Sequence, residues 1–140
     1  MKTKLLFILA AGLLLGADDP KKELDKLQGE WSAVSLERDG NKLPDEMLKT
    51  VKRSVTGESY TIAFGEMMFK GTFKIDVSKT PKTIDIVREE DKDTPIKGIY
   101  ELDGDTYKVC YGAPGKDRPT EFSAKEGSGN TMSVWKKAKK

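Results

Sequence analysis

Residues 96–122 read IKGIYELDGDTYKVCYGAPGKDRPTEF, and this stretch decides the fold. Two runs rich in β-branched and aromatic residues flank Asp103-Gly104. An Asp-Gly pair between such runs is a strong hairpin signal, because the tight turn needs positive φ and Gly reaches it without steric cost. With Asp103-Gly104 as the turn centre, Leu102 stands opposite Asp105, Tyr100 opposite Tyr107, Gly98 opposite Val109 and Ile96 opposite Tyr111. Residues directly opposite share a face of the sheet. One face then carries Ile96, Tyr100, Leu102, Tyr107, Val109 and Tyr111, and the other Lys97, Ile99, Glu101, Thr106, Lys108 and Cys110. An oily face backed by a mostly polar one is the pattern of an antiparallel sheet with one buried side. A turn centred on Gly104-Asp105 would slide the pairing and leave both faces unchanged.

The same alternation extends outward. Ser59–Phe64 and residues 67–77 flank Gly65-Glu66, which sets Phe64 opposite Met67, Ile62 opposite Phe69 and Tyr60 opposite Gly71, with Phe73, Ile75 and Val77 continuing that face. Gly29–Arg38 reads as a strand with Trp31, Ala33 and Ser35 on one face and Val34 and Leu36 on the other. Further strands are expected at 52–56, 83–88, 120–124 around Phe122, and Thr131–Lys137, with a charged loop at 89–95 and a proline-bearing loop at 112–119. Two short helices are expected. Pro20–Leu27 has Asp19 to cap it and Pro20 at its first position. Residues 44–51 carry Asp45 and Glu46 in the first turn, with Lys49, Lys52 and Arg53 at the far end, an order that suits the helix dipole. Eight to nine short strands that pair with their sequence neighbours make an all-β, up-and-down antiparallel sheet. Closure removes its two exposed edges, so the expectation is an eight-stranded barrel with one or two short helices. At that strand number the interior is either filled by side chains or holds one small ligand.

The 140 residues suffice for one domain. Lys2 and Lys4 precede an apolar run over 5–15, and Gly16 and Ala17 supply small residues before Asp18. This reads as a signal peptide over 1–17, followed by a barrel domain over 20–137 and a basic tail at 138–140. The apolar run is shorter than the roughly 20 residues a bilayer needs, so removal is expected, leaving an exported protein, periplasmic or secreted, with no membrane segment. Taking Lys2 and Lys4 from the 25 basic residues leaves 23, equal to the 23 acidic ones. A near-neutral chain with interspersed charges is not a nucleic-acid binder, which needs a clustered basic surface. With one cysteine and no histidine, an internal disulfide, a Cys/His zinc site and a Ser-His-Asp or Cys-His mechanism are all excluded. No metal, cofactor or catalytic residue is expected.

The residues also carry a resemblance. Gly29-x-Trp31 beside a short N-terminal helix resembles the opening of lipocalin-like barrels. The segments LQGEW (27–31), GTFKID (71–76), PKTID (81–85), GIYELDGDTYKVCY (98–111) and PGKDRPTEF (114–122), in this order, resemble a lipocalin-like domain of unknown function found in many copies in planctomycete proteins. They are spread over nearly the whole chain after the signal segment. The resemblance implies an exported barrel and assigns it no activity. It also implies a basic side chain from the last strand lying across the GxW tryptophan, with Lys136 or Lys137 in place to supply it.

Two functional readings stay open. In the first, a small apolar or aromatic ligand sits inside the barrel against Trp31, Tyr60, Tyr100, Tyr107 and Tyr111, since buried Tyr offers an apolar body and a hydroxyl in need of a partner. The alternative for those rings is plain core filling. In the second, the protein binds or inhibits an extracytoplasmic protein through the 112–119 loop, where Arg118 presents a planar fork. The structural alternative is that Arg118 pairs with Glu121 or Glu101 and pins the loop to the barrel. Glycosidase chemistry needs two carboxylates across a cleft, one with a raised pKa. Asp76, Asp85, Glu101, Asp103, Asp105 and Glu121 isolate no such pair, so a non-enzymatic protein is expected.

Overall fold

A computed structural model describes residues 19–138, so the expected signal segment at 1–17 and the last two tail residues lie outside the described residues. The alternating runs form β1 (Gly29–Arg38), β2 (Asn41–Lys42), β3 (Val51–Thr56), β4 (Ser59–Phe64), β5 (Met67–Asp76), β6 (Lys82–Arg88), β7 (Asp91–Asp103), β8 (Thr106–Tyr111) and β9 (Thr131–Lys137). The helices are α1 (Pro20–Leu27) and α2 (Asp45–Leu48). From β3 to β9 each strand pairs antiparallel with the next, β1 pairs with β3, and β9 returns to β1. The result is a closed eight-stranded barrel, as the alternation implied, with the two-residue β2 added outside the ring on β1. Among the described residues no helix is long and apolar enough to cross a membrane.

Three turns set the ladder, and all have one chemistry. Gly57-Glu58, Gly65-Glu66 and Gly104-Asp105 each join strands in which the flanking residues pair directly, as Thr56 with Ser59, Phe64 with Met67 and Asp103 with Thr106. In each, only the Gly takes positive φ, at 62°, 64° and 60°. Gly at the first central position is the sequence demand of a type II′ turn. The central hairpin is therefore centred on Gly104-Asp105 rather than Asp103-Gly104. Tyr100 stands opposite Val109, Leu102 opposite Tyr107 and Gly98 opposite Tyr111. The two faces are unchanged by the slide, and Ile96, Tyr100, Tyr107 and Val109 are buried in the core.

Four other expectations are corrected. The second helix stops at Leu48, because Thr50 turns its hydroxyl back to the Met47 carbonyl (2.7 Å) and Val51 already opens β3. The charged loop is only the Glu89-Glu90 turn. Strand β7 begins at Asp91, and Pro95 falls in the stretch where the β6–β7 register shifts, a place that tolerates a missing N–H. Residues 120–124 form no strand, since β8 and β9 pair with each other and leave no edge for an intervening ribbon. Finally, β1 bulges against β9. Trp135 pairs with Ala33 and Val134 with Ser35, so Val34 is the extra residue. Beyond it Leu36 and Arg38, not Ser35, share a face with the buried Ser133 and Thr131.

Candidate functional site

The barrel has two unlike halves. At one end α1 lies over the opening. Asp19 Oδ1 accepts the Lys21 N–H (2.9 Å) and starts the helix, and α1 then buries Leu27 and Glu23. Trp31 donates Nε1–H to the Leu27 carbonyl (3.0 Å) and packs 5.8 Å from the Tyr107 ring, which lies 5.9 Å from Tyr100. Lys137 places Nζ 5.2 Å from the centre of the Trp31 ring and donates to the Lys26 carbonyl (2.9 Å), so the basic residue across this tryptophan is Lys137. Gln28 clamps the helix end to the β3–β4 turn, accepting the Gly57 N–H (2.6 Å) and donating to the Gly57 carbonyl (2.9 Å). The buried Glu23 carboxylate is satisfied twice: Oε2 accepts from Lys82 Nζ (2.9 Å) and from Tyr100 Oη (3.0 Å). Burial, with Glu23 adding to it, pushes the Tyr100 hydroxyl far above its ordinary pKa.

Directly opposite Trp31 across the β1–β3 ladder stands Arg53, around which the rest of the interior is arranged. Val51, Arg53 and Val55 alternate inward along β3, so a guanidinium projects into the barrel at only 5 % exposure. Its Cζ lies 5.1, 5.6 and 5.9 Å from the ring centres of Tyr107, Tyr60 and Phe73. Those cation–π contacts offset part of the cost of burying the charge. No carboxylate and no hydrogen-bond acceptor among the described residues partners it, in contrast to Glu23. Tyr107 Oη is buried and likewise without a hydrogen-bond partner, as is Arg88 Nε. Burial raises the hydroxyl pKa values of Tyr60, Tyr107 and Tyr111, and the Arg53 charge pulls each partly back.

Of the aromatic residues expected at a ligand site, the structure brings Tyr60 and Tyr107 against Arg53. Tyr111 is partly buried and packs against the same core. Trp31 and Tyr100 belong instead to the sealed end, with their polar atoms already engaged. The residue missing from that set is Arg53. Its signal was Val51-Lys52-Arg53-Ser54-Val55, in which an arginine occupies the apolar parity of a strand.

Outside the barrel, residues 112–130 lie across the polar face of the central hairpin. Pro119 and Ala124 are buried. Cys110 donates its thiol to the Ser123 carbonyl (3.4 Å), and burial pushes the thiol pKa up. Arg118 does pin the loop, through partners other than Glu121 or Glu101. It donates to the carbonyls of Gly98 (2.9 Å) and Ile84 (3.2 Å) and stands 2.7 Å from Asp85 Oδ1. Glu121 is exposed, and Glu101 sits 3.5 Å from Lys108. The loop borders an open crevice of about 560 Å³. Compared with protein families, with curated proteins and with solved structures, the chain matches none.

Proposed function

We propose that the protein is an exported, non-enzymatic, lipocalin-like binding module that takes a small apolar or aromatic molecule into the half of the barrel remote from α1. The observation that carries this reading is the contrast in cover. Around α1 and Arg53 the inward rings of Trp31, Phe73, Tyr100 and Tyr107 are all at most 1 % exposed. On the β4–β5 side of the far half, the inward residues Ile62, Phe64 and Phe69 are only partly covered, and Met67 at the turn is 56 % exposed. Apolar side chains that stay half-wet gain from a ligand that dries them. Capture of a protein by the 112–119 loop has less support, because Arg118 is already committed to Gly98, Ile84 and Asp85.

A thermal-shift and native mass-spectrometry screen against lipids, aromatics and isoprenoids tests the proposal. The expected result is a saturable one-to-one adduct with a raised melting temperature, lost when Phe69 is changed to a charged residue. A screen that returns no binder removes the reading.

A further inference from the structure

The buried polar atoms without a hydrogen-bond partner are Asp85 Oδ1, on the outer face beside Arg118, and two inside the barrel, Arg88 Nε and the Tyr107 hydroxyl. The Arg53 guanidinium, at 5 % exposure, has no ion pair and no side-chain hydrogen bond among the described residues. A buried group without a partner in a folded protein calls for a reason, and unpaired donors call for an acceptor. The charges of the open half lean the same way. Arg38, Arg53 and Arg88 all occupy inward positions there, as their strand partners Thr131, Ile62 and Gly71 show. Among the acids on that side, Asp91 stands 3.3 Å from Arg88 and already accepts from the Thr94 hydroxyl (2.5 Å). Directly beside Arg53 across the ladder stands Ile62, and beside Ile62 stands Phe69. A cationic fork and an apolar strip therefore share one row of the wall.

Building on the binding function proposed above, we propose that the ligand is a small organic carboxylate. Its carboxyl group binds the Arg53 guanidinium, with Tyr107 Oη as a second donor, and its apolar body lies along Ile62, Phe69 and Phe64. The guanidinium fork matches a carboxylate bidentately, and the desolvated setting strengthens each charge-assisted bond.

The test titrates the protein with benzoate and octanoate, with their uncharged counterparts benzamide and octanol, and with inorganic phosphate and chloride. Binding is read by calorimetry and by the arginine Nε–Hε resonances of the ¹⁵N-labelled protein, with Arg53→Lys assigning the Arg53 signal. The carboxylates are expected to move the Arg53 resonance saturably and to bind about tenfold or more tighter than their uncharged counterparts. Arg53→Met is expected to remove that advantage, so that charged and uncharged members of each pair bind alike. Equal binding of charged and uncharged members, or carboxylate binding by Arg53→Met as tight as by the native protein, overturns the carboxylate assignment and leaves the barrel a binder of neutral molecules. Saturation of the Arg53 resonance by phosphate or chloride at the same concentrations as the organic acids overturns the organic part. Binding by none of the probes overturns the assignment together with the function it rests on. If Arg53→Met folds poorly, the native protein alone still decides the proposal, through the comparison of charged with uncharged probes and of organic acids with phosphate and chloride.

Discussion

Glu23 and Arg53 are both charges buried inside one barrel, at 3 % and 5 % exposure, and the structure treats them in opposite ways. Glu23 has a lysine and a phenol on a single carboxylate oxygen, and helix, tryptophan and tyrosines close round it. Arg53 has three aromatic rings and no acceptor among the described residues. An ion taken out of water is costly unless it is matched. A matched ion fixes a shape, whereas an unmatched one stores free energy that a ligand can release. The α1 end is thus held by matched partners, and under the function proposed above the Arg53 side is the part a ligand would complete.

Raising the pH breaks both halves at once and gives the largest effect. All four tyrosines have hydroxyls pushed above their ordinary value, chiefly by burial. In the unfolded chain they ionise near pH 10, so the unfolded state loses its protons first. Their contribution to stability is complete below about pH 10 and shrinks as the pH climbs beyond it. Phenolate absorbance near 295 nm should stay flat through pH 10 and then rise together with the loss of the β-sheet circular dichroism signal. A gradual rise with the sheet intact would mean that the rings are reachable by water.

Next comes Glu23→Ala, which strips the acceptor from Tyr100 and Lys82. Lys82 is partly exposed and can turn to solvent, while Tyr100 cannot. A loss of about 2–3 kcal/mol is expected by urea denaturation. The mirror experiment, Arg53→Met, should act in the other direction. It removes an unpaired buried ion and forfeits its ring contacts, for a net gain of about 1 kcal/mol, or roughly 4 °C in melting temperature. If both substitutions destabilise equally, the two charges are alike and the contrast fails. The smallest effect separates two hydroxyls on neighbouring rings. Tyr100→Phe, which breaks the bond to Glu23, should cost about 1 kcal/mol, and Tyr107→Phe, which breaks none, should be neutral or slightly stabilising.

Most of the barrel could be read from residue alternation, because the parity of a strand survives an error in pairing. The central hairpin shows this: its turn slid by one position, yet Tyr100 and Tyr107 stayed inside. The repeated Gly-acid turns were a further clue to the correct centre. The β1 bulge was not legible, because an extra residue at Val34 is decided by where β9 must pair and not by β1 itself. Residues 120–124 have the composition of a strand and were denied one by neighbours that were already paired. The site was half legible. Its tyrosines announce themselves by type, whereas Arg53 reads as a helix-end cation until Val51 is known to open a strand.

The ring closes only when β9 meets β1, which joins Thr131 to Arg38, 93 residues earlier. Until the last ribbon has been synthesised, the first has a bare edge and the barrel has no seam to shut. Completion therefore waits for residues 131–137. A copy cut short before Thr131 would offer two sticky borders to its neighbours in place of one finished cylinder.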